Sequence, residues 1–122
     1  MKKEYEKDLN ERLFEFALRT IKYLKTIKNE PEISVIKYQL SKSSTSSGAN
    51  YEEAQAASSL NDFINKINIS LREMRESNYW FRICIALKIG DQGELNFLLG
   101  ESEELKKILG SISYKTRIKK RN

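Results

Sequence analysis

The chain has 122 residues, of which 39% are hydrophobic and 32% are charged, and its formal net charge is +5. This length fits one domain, and this composition is typical of a soluble helical protein rather than a disordered one. The chain contains no histidine, which excludes Cys/His zinc sites within one chain and histidine-based acid–base or nucleophile chemistry. Cys84 is the only cysteine. An intrachain disulfide is therefore excluded, and we expect a buried, inert thiol.

No apolar run approaches the roughly 18 residues that a membrane span needs, and the N-terminal residues lack the apolar segment of a secretory signal. We therefore expect a cytoplasmic protein that does not enter a membrane. The carboxylates and lysines form no catalytic, metal-binding or cofactor motif that we recognise. We expect neither enzymatic activity nor a cofactor.

Apolar residues recur at spacings of three and four along most of the chain, which predicts helices. One proline and five glycines leave long stretches without a helix breaker. The predicted helices span about 8–28, 32–57, 60–88 and 94–113, and together they form one domain over 1–113. Helices joined by short connections pack as antiparallel neighbours, so the predicted fold is an all-α, up-down four-helix bundle.

The second predicted helix contains the segment Ser43-Ser44-Thr45-Ser46-Ser47-Gly48, which allows two interpretations. Its composition is typical of a linker, which would end the helix at Ser43. Alternatively, the helix continues, because the alanines that follow have high helix propensity. In that case the small residues would permit a close approach of neighbouring backbones.

Tyr79, Trp80 and Phe81 are consecutive in the third predicted helix. Because each helical residue rotates by about 100°, these three side chains cannot all face one narrow stripe of the core. They either pack against two neighbouring helices, contribute to an oligomer interface or, less favoured, offer a stacking surface for nucleic-acid bases.

Two pairs of polar residues are spaced three apart and therefore share a helix face: Asn50 with Glu53, and Glu73 with Glu76. A carboxylate-bridged metal site is disfavoured, because bundles of that type also use histidine. We predict instead a polar network in which arginines, Arg75 among them, answer the glutamates.

The positive charge is concentrated at the C-terminal end. Residues 1–60 carry 10 Lys/Arg against 9 Asp/Glu, residues 61–110 carry 7 against 8, and residues 111–122 carry 5 against none. We therefore predict a basic tail over 114–122 that contacts the phosphates of RNA or DNA. The alternative is a solvated tail whose first cations complement the C-terminus of the last helix. The five cations of this tail are Lys115, Arg117, Lys119, Lys120 and Arg121.

Distinctive motifs lie in the second and third predicted helices: Gln39-Leu40-Ser41, Thr45-Ser46-Ser47-Gly48-Ala49-Asn50, Asp62-Phe63-Ile64, Leu71-Arg72-Glu73 and Tyr79-Trp80. In combination they resemble the small bacterial four-helix-bundle proteins related to those encoded in intervening sequences of 23S rRNA genes. The resemblance covers nearly the whole chain and favours a continuous second helix. Ser47 and Tyr51 depart from the family pattern, which usually has aliphatic residues there, and Glu52 stands where relatives carry alanine.

The resemblance implies a non-enzymatic cytoplasmic bundle that assembles into a ring-shaped homopentamer. One branch resembles the accessory variability proteins of diversity-generating retroelements, which associate with a reverse transcriptase and with nucleic acid. The implied function is therefore an oligomeric scaffold that binds RNA, DNA or a nucleic-acid enzyme through basic residues. The alternative is a protein–protein interaction module with no nucleic-acid role.

Overall fold

Four helices make up a computed structural model that describes residues 4–122, with side chains from Leu9 onward. They are α1 (Glu4–Lys25), α2 (Pro31–Gln55), α3 (Leu60–Leu87) and α4 (Gln92–Arg121). Residues 1–3 of the predicted domain lie outside the described residues. Within the described range, no helix combines the length and the hydropathy needed to cross a membrane.

The structure decides whether the second helix is continuous, and it changes the predicted end of the fourth. α2 runs through the Ser43–Gly48 segment without a break, so the continuous-helix interpretation is confirmed. α4 continues to Arg121, eight residues past the predicted end at 113. The separate tail predicted over 114–122 is therefore corrected to the last two turns of α4. The glycines at 100 and 110 do not interrupt this helix.

Local capping fixes where α3 and α4 begin. The Ser59 hydroxyl accepts a hydrogen bond from the backbone N–H of Asp62 at 3.0 Å, and the Asp91 carboxylate accepts one from the N–H of Glu94 at 3.0 Å. Both satisfy N–H groups that have no partner inside the helix. Lys88 ends α3 in the left-handed conformation, with φ 55°.

The helices form a square in which each contacts the next in chain order and α4 closes against α1. Among the described residues, the backbones of diagonal helices do not come close, and these helices meet only through core side chains. Contacts between helices show that neighbours are antiparallel. Arg12 pairs with Glu101, whereas Arg19, seven residues later, pairs with Glu94, seven residues earlier. The predicted all-α four-helix bundle is confirmed.

The core lies between the four helices and is closed by aromatic and aliphatic side chains. Phe16 of α1 and Phe81 of α3 meet edge to face, with ring centroids 5.8 Å apart. Cys84 is buried, as predicted, and burial raises the pKa of its thiol. Other side chains that are fully buried are Leu9, Leu13, Leu40, Tyr51, Ile67, Met74, Leu95, Leu98, Leu105 and Leu109.

α2 and α3 approach closely through buried serines. The Ser47 hydroxyl donates to the backbone oxygen of Ser70 at 2.8 Å, and the Ser70 hydroxyl donates to the backbone oxygen of Ser47 at 2.7 Å. One turn away in α2, the hydroxyl oxygens of Ser43 and Ser77 are 2.8 Å apart. These short side chains replace the aliphatic packing expected at Ser47, and each buried hydroxyl has a partner.

Gly48 gives the same segment a second close contact, on the side facing α1. A Cβ at this position would lie 3.3 Å from the Cβ of Leu13 and 3.5 Å from its backbone carbonyl. The linker-like composition of the segment therefore serves two tight helix contacts at once.

Ion pairs connect α1 to α4. Arg12 and Arg19 each form two hydrogen bonds with one carboxylate, to Glu101 at 3.1 and 2.7 Å and to Glu94 at 3.0 and 2.6 Å. These hydrogen bonds raise the pKa of both guanidinium groups. The Arg19 guanidinium also covers the ring of Phe97 at 3.6 Å.

Candidate nucleic-acid interface

The five cations predicted to contact nucleic acid lie on the last two turns of α4, and all of them are exposed. They point in more than one direction, because α-helical positions two apart differ by about 200°. Lys115 and Lys119 share one side of the helix, whereas Arg117 and Arg121 share the opposite side. The structure therefore places these charges on a rigid helix that presents them to two surfaces.

Lys115 and Lys119 stand at the rim of a cleft of about 840 Å³ at one end of the bundle. Its floor is mainly apolar and comes from the last turn of α2, the first turn of α3 and α4. The remaining lining residues are Tyr51, Gln55, Leu60, Phe63, Ile108, Ser111, Ile112 and Thr116.

A second basic surface, which the sequence did not single out, lies in a groove between α3 and α4. The groove has a volume of about 520 Å³ and is lined by four cations around one buried amide: Arg75, Asn78, Arg82, Lys106 and Lys107. A sequence signal existed, since the two arginines are seven apart on one face of a helix. However, only the packing of α4 brings the two lysines beside them.

Asn78, which interrupts the apolar pattern of α3, forms the floor of this groove. Its amide nitrogen donates to the Ser102 hydroxyl at 2.9 Å and to Glu103 at 2.8 Å. The bond to Glu103 is the main cause of the lowered pKa of that carboxyl group. Glu103 therefore stays ionised and also pairs with Lys106 at 3.4 Å.

The charge of the groove is only partly balanced. Glu103 answers Lys106, but within the part of the chain that the structure describes, Arg75, Arg82 and Lys107 make no ion pair with a carboxylate. Like charges held close together repel, and a polyanion relieves that repulsion.

The three consecutive aromatic residues of α3 have different environments. Phe81 is in the core, Trp80 is partly buried and Tyr79 is 48% exposed. The Tyr79 ring lies beside the basic groove, with the Arg82 guanidinium carbon 5.7 Å from its centroid. Its other neighbour is the Trp80 ring, edge on at 5.2 Å.

The residues predicted to form one polar network are not brought together in the described structure. Asn50 bonds within its own helix, to the Ser46 backbone oxygen at 2.9 Å and the Ser46 hydroxyl at 3.1 Å. Glu53 is exposed. The physical reason is the rotation of successive residues around the helix axis. Arg75 lies on the side of α3 that faces α4, whereas the two glutamates of α3 lie on other sides of that helix.

Those two glutamates form a small acidic site on α3. Burial, and then the nearby charge of Glu76, raise the pKa of Glu73, while Arg72 and Lys42 oppose that shift. Glu76 accepts a weak hydrogen bond from the Trp80 indole at 3.4 Å. Among the described residues, no three Cys, His, Asp or Glu side chains are grouped so that they could hold a metal ion.

α1 and α2 also expose apolar side chains, among charged ones. Four of these side chains are large and hydrophobic: Phe14, Leu18, Val35 and Tyr38. A shallow groove of about 240 Å³ runs beside Phe14, between Ala17 of α1 and Ala49 of α2.

The chain is similar to known proteins. Residues 6–111 match the family described as 23S rRNA-intervening sequence protein. A crystal structure of a protein of unknown function from the S23 ribosomal protein family of Bacteroides thetaiotaomicron VPI-5482 is 36% identical, with a TM-score of 0.78. The match covers 86% of this chain and 97% of that one. No curated protein matches the chain.

Proposed function

Because the chain belongs to the family of 23S rRNA-intervening sequence proteins, we propose that it is a non-enzymatic, cytoplasmic helical scaffold. In this proposal, copies of the chain assemble into a homopentamer. The assembly binds RNA, DNA or an enzyme that acts on nucleic acid through basic surface residues.

The observation that carries the nucleic-acid role is the charge of α4. Between residues 105 and 122 the chain has seven Lys/Arg and no Asp/Glu. Since cations close to phosphates release condensed counterions, such a surface binds nucleic acid without sequence preference and with strong salt dependence. In an oligomer the same surface is repeated in every copy, which multiplies a weak affinity.

The test compares two variants that lose the same charge. The first replaces Lys119, Lys120 and Arg121 by glutamine; these side chains are exposed, so the fold is retained. The matched control replaces Lys22, Lys25 and Lys28 by glutamine; they are exposed at the opposite end of the bundle from the end of α4. Retention of labelled RNA and DNA on each protein is measured at increasing salt.

The proposal expects binding that weakens steeply with salt. The logarithmic salt slope should fall by about 2 in the first variant, at roughly 0.7–0.9 per lost phosphate contact, and stay unchanged in the control. Binding that ignores salt, or equal losses in both variants, would contradict a role for the end of α4. Light scattering gives the number of copies, for which five is expected.

The exposed apolar side chains of α1 and α2 favour a second candidate, a protein–protein interaction module. Phe14 and Tyr38 are 66% and 65% exposed, and large apolar surfaces of this kind commonly mark contacts with protein. If self-association covers this surface, Phe14→Ser lowers the mass measured by light scattering. If the mass is unchanged and a specific partner remains bound after nuclease treatment, the interaction module is the better description.

A further inference from the structure

We propose that the α3–α4 face binds single-stranded nucleic acid along one continuous track, with Tyr79 as a stacking platform. This inference rests on the proposed nucleic-acid role and adds the location and the strandedness of the ligand. The track runs from the basic groove at Arg82 to the end of α4 at Arg121.

Helix geometry joins the groove to the end of α4. Arg117 and Arg121 follow Lys106 by eleven and fifteen residues, so they lie within about 60° of it around the α4 axis. At about 1.5 Å per residue, they stand roughly 16 and 22 Å farther along the helix. Lys106 of the groove, Arg117 and Arg121 therefore form one line along α4.

The α3 side of this line is compatible with a polyanion. Arg75 and Arg82 line the groove. Closer to the C-terminal end of α4, the polar residue Asn68 of α3 contacts α4, and its side-chain oxygen accepts a hydrogen bond from the Ser113 hydroxyl at 2.7 Å. The carboxylate of the groove, Glu103, is already engaged by Asn78 and Lys106. Apart from Glu103, the described residues of this line present cations and neutral polar groups to a ligand.

Exposed tyrosines accompany these cations. Tyr79 lies between Arg75 and Arg82 in the sequence of α3 and is 48% exposed, and Tyr114 of α4 is 61% exposed. Cations beside exposed aromatic rings bind the backbone and stack the bases of a single strand. A duplex keeps its bases stacked inside, so it can use the cations but not the ring. This difference selects the single strand.

The experiment measures binding of labelled fifteen-nucleotide oligouridine, oligothymidine and a fifteen-base-pair RNA duplex to the full chain by fluorescence anisotropy. Three variants are compared with the wild type: Tyr79→Ala, Tyr79→Phe and the triple substitution of Arg75, Arg82 and Lys107 by glutamine. The matched charge control is again the glutamine variant at 22, 25 and 28. Circular dichroism checks that each variant is folded.

We expect Tyr79→Ala to weaken single-strand binding by about tenfold or more, the effect of losing one base–aromatic stack, and to leave duplex binding unchanged. Tyr79→Phe should retain wild-type affinity, because the ring is kept. The triple variant should lower the salt slope by about 2, unlike the control. Trp80, the only tryptophan, contacts the Tyr79 ring, so its fluorescence should change when the single strand binds.

Different failures have different meanings. If Tyr79→Ala weakens duplex and single strand equally, or neither, stacking at Tyr79 is refuted. If the triple variant binds as the wild type does while the variant at 119–121 loses binding, the track is refuted and the proposed nucleic-acid role survives. If the wild type binds none of the three probes, both proposals fail. Comparison of oligouridine with oligothymidine shows whether RNA or DNA is preferred.

Discussion

The substitution Ser47→Leu tests the close approach of α2 and α3. Ser47 is fully buried, and its hydroxyl and that of Ser70 each donate to the backbone oxygen of the other residue. Leucine is an informative replacement, because the family pattern usually has an aliphatic residue at this position. If the helices were spaced for an aliphatic side chain, leucine would fit. The observed hydrogen bonds leave room only for a hydroxymethyl group.

Two effects set the expected cost. Losing the buried hydrogen bond removes about 1 kcal/mol, and forcing extra methylene groups into a packed contact adds roughly 1–3 kcal/mol. Ser47→Leu should therefore lower the free energy of unfolding by about 2–4 kcal/mol. Ser47→Ala loses the same hydrogen bond but gains up to about 0.5 kcal/mol of helix propensity, so its net cost should be about 0.5–1 kcal/mol.

The assay is urea and thermal unfolding followed by circular dichroism. For a chain of 122 residues, about 1 kcal/mol corresponds to a Tm shift of roughly 4 °C. The control is Ser34→Leu, an exposed position near the start of the same helix, which should stay within about 0.5 kcal/mol of the wild type. A Ser47→Leu protein as stable as the wild type would refute the close approach of the two helices.

Two further predictions concern the end of the bundle near the connection between α3 and α4. Burial raises the pKa of Tyr23 above its ordinary value of 10.0, and its hydroxyl donates to the Ile89 backbone oxygen at 2.6 Å. A raised pKa means that the stability contributed by this phenol is complete below about pH 10 and is lost as the pH rises further. Tyr23→Phe should therefore cost about 1 kcal/mol of unfolding free energy at pH 8. Between pH 8 and pH 11, urea unfolding should show a smaller loss of stability for this variant than for the wild type. In a double-mutant cycle of Arg19→Ala and Glu94→Ala, the coupling energy should be about 0.5–1 kcal/mol, because both side chains are about one-third exposed. This coupling energy should decrease in high salt. A coupling energy that salt leaves unchanged would contradict a solvent-exposed ion pair.

Much of the fold could be predicted because helical periodicity is local. The number, order and approximate bounds of the four helices follow from residues three and four apart, and the short connections dictate antiparallel neighbours. The end of α4 could not be predicted in this way. Residues 114–121 lack a strong apolar stripe, yet they stay helical in the structure. Within this extension, the Thr116 hydroxyl donates a hydrogen bond to the Ile112 backbone oxygen at 2.9 Å.

Only part of the candidate site could be predicted from the sequence. The C-terminal cations stand out as a run of charge with no acid, whereas the groove at Arg75 and Arg82 does not. The sequence predicted that Arg75 pairs with nearby glutamates, whereas helical rotation directs Arg75 and Arg82 toward α4. For the same reason, the sequence could not show that Tyr79 is exposed and Phe81 is buried. Both are aromatic residues, and only the packed orientation of α3 decides which side chain faces the core.

The sequence by itself determined an all-α bundle, its family, and the excess of positive charge near the C-terminus, because each is a property of local pattern or composition. Only the tertiary structure decided that the Ser43–Gly48 segment packs against two neighbouring helices at once. It also decided that Arg12 and Arg19 bind carboxylates about ninety and seventy-five residues away in the sequence. The same is true of the groove in which lysines of α4 lie beside arginines of α3. The physical reason is register. Which side chains meet across two helices depends on the rotation and axial offset of both, and no single helix encodes either one.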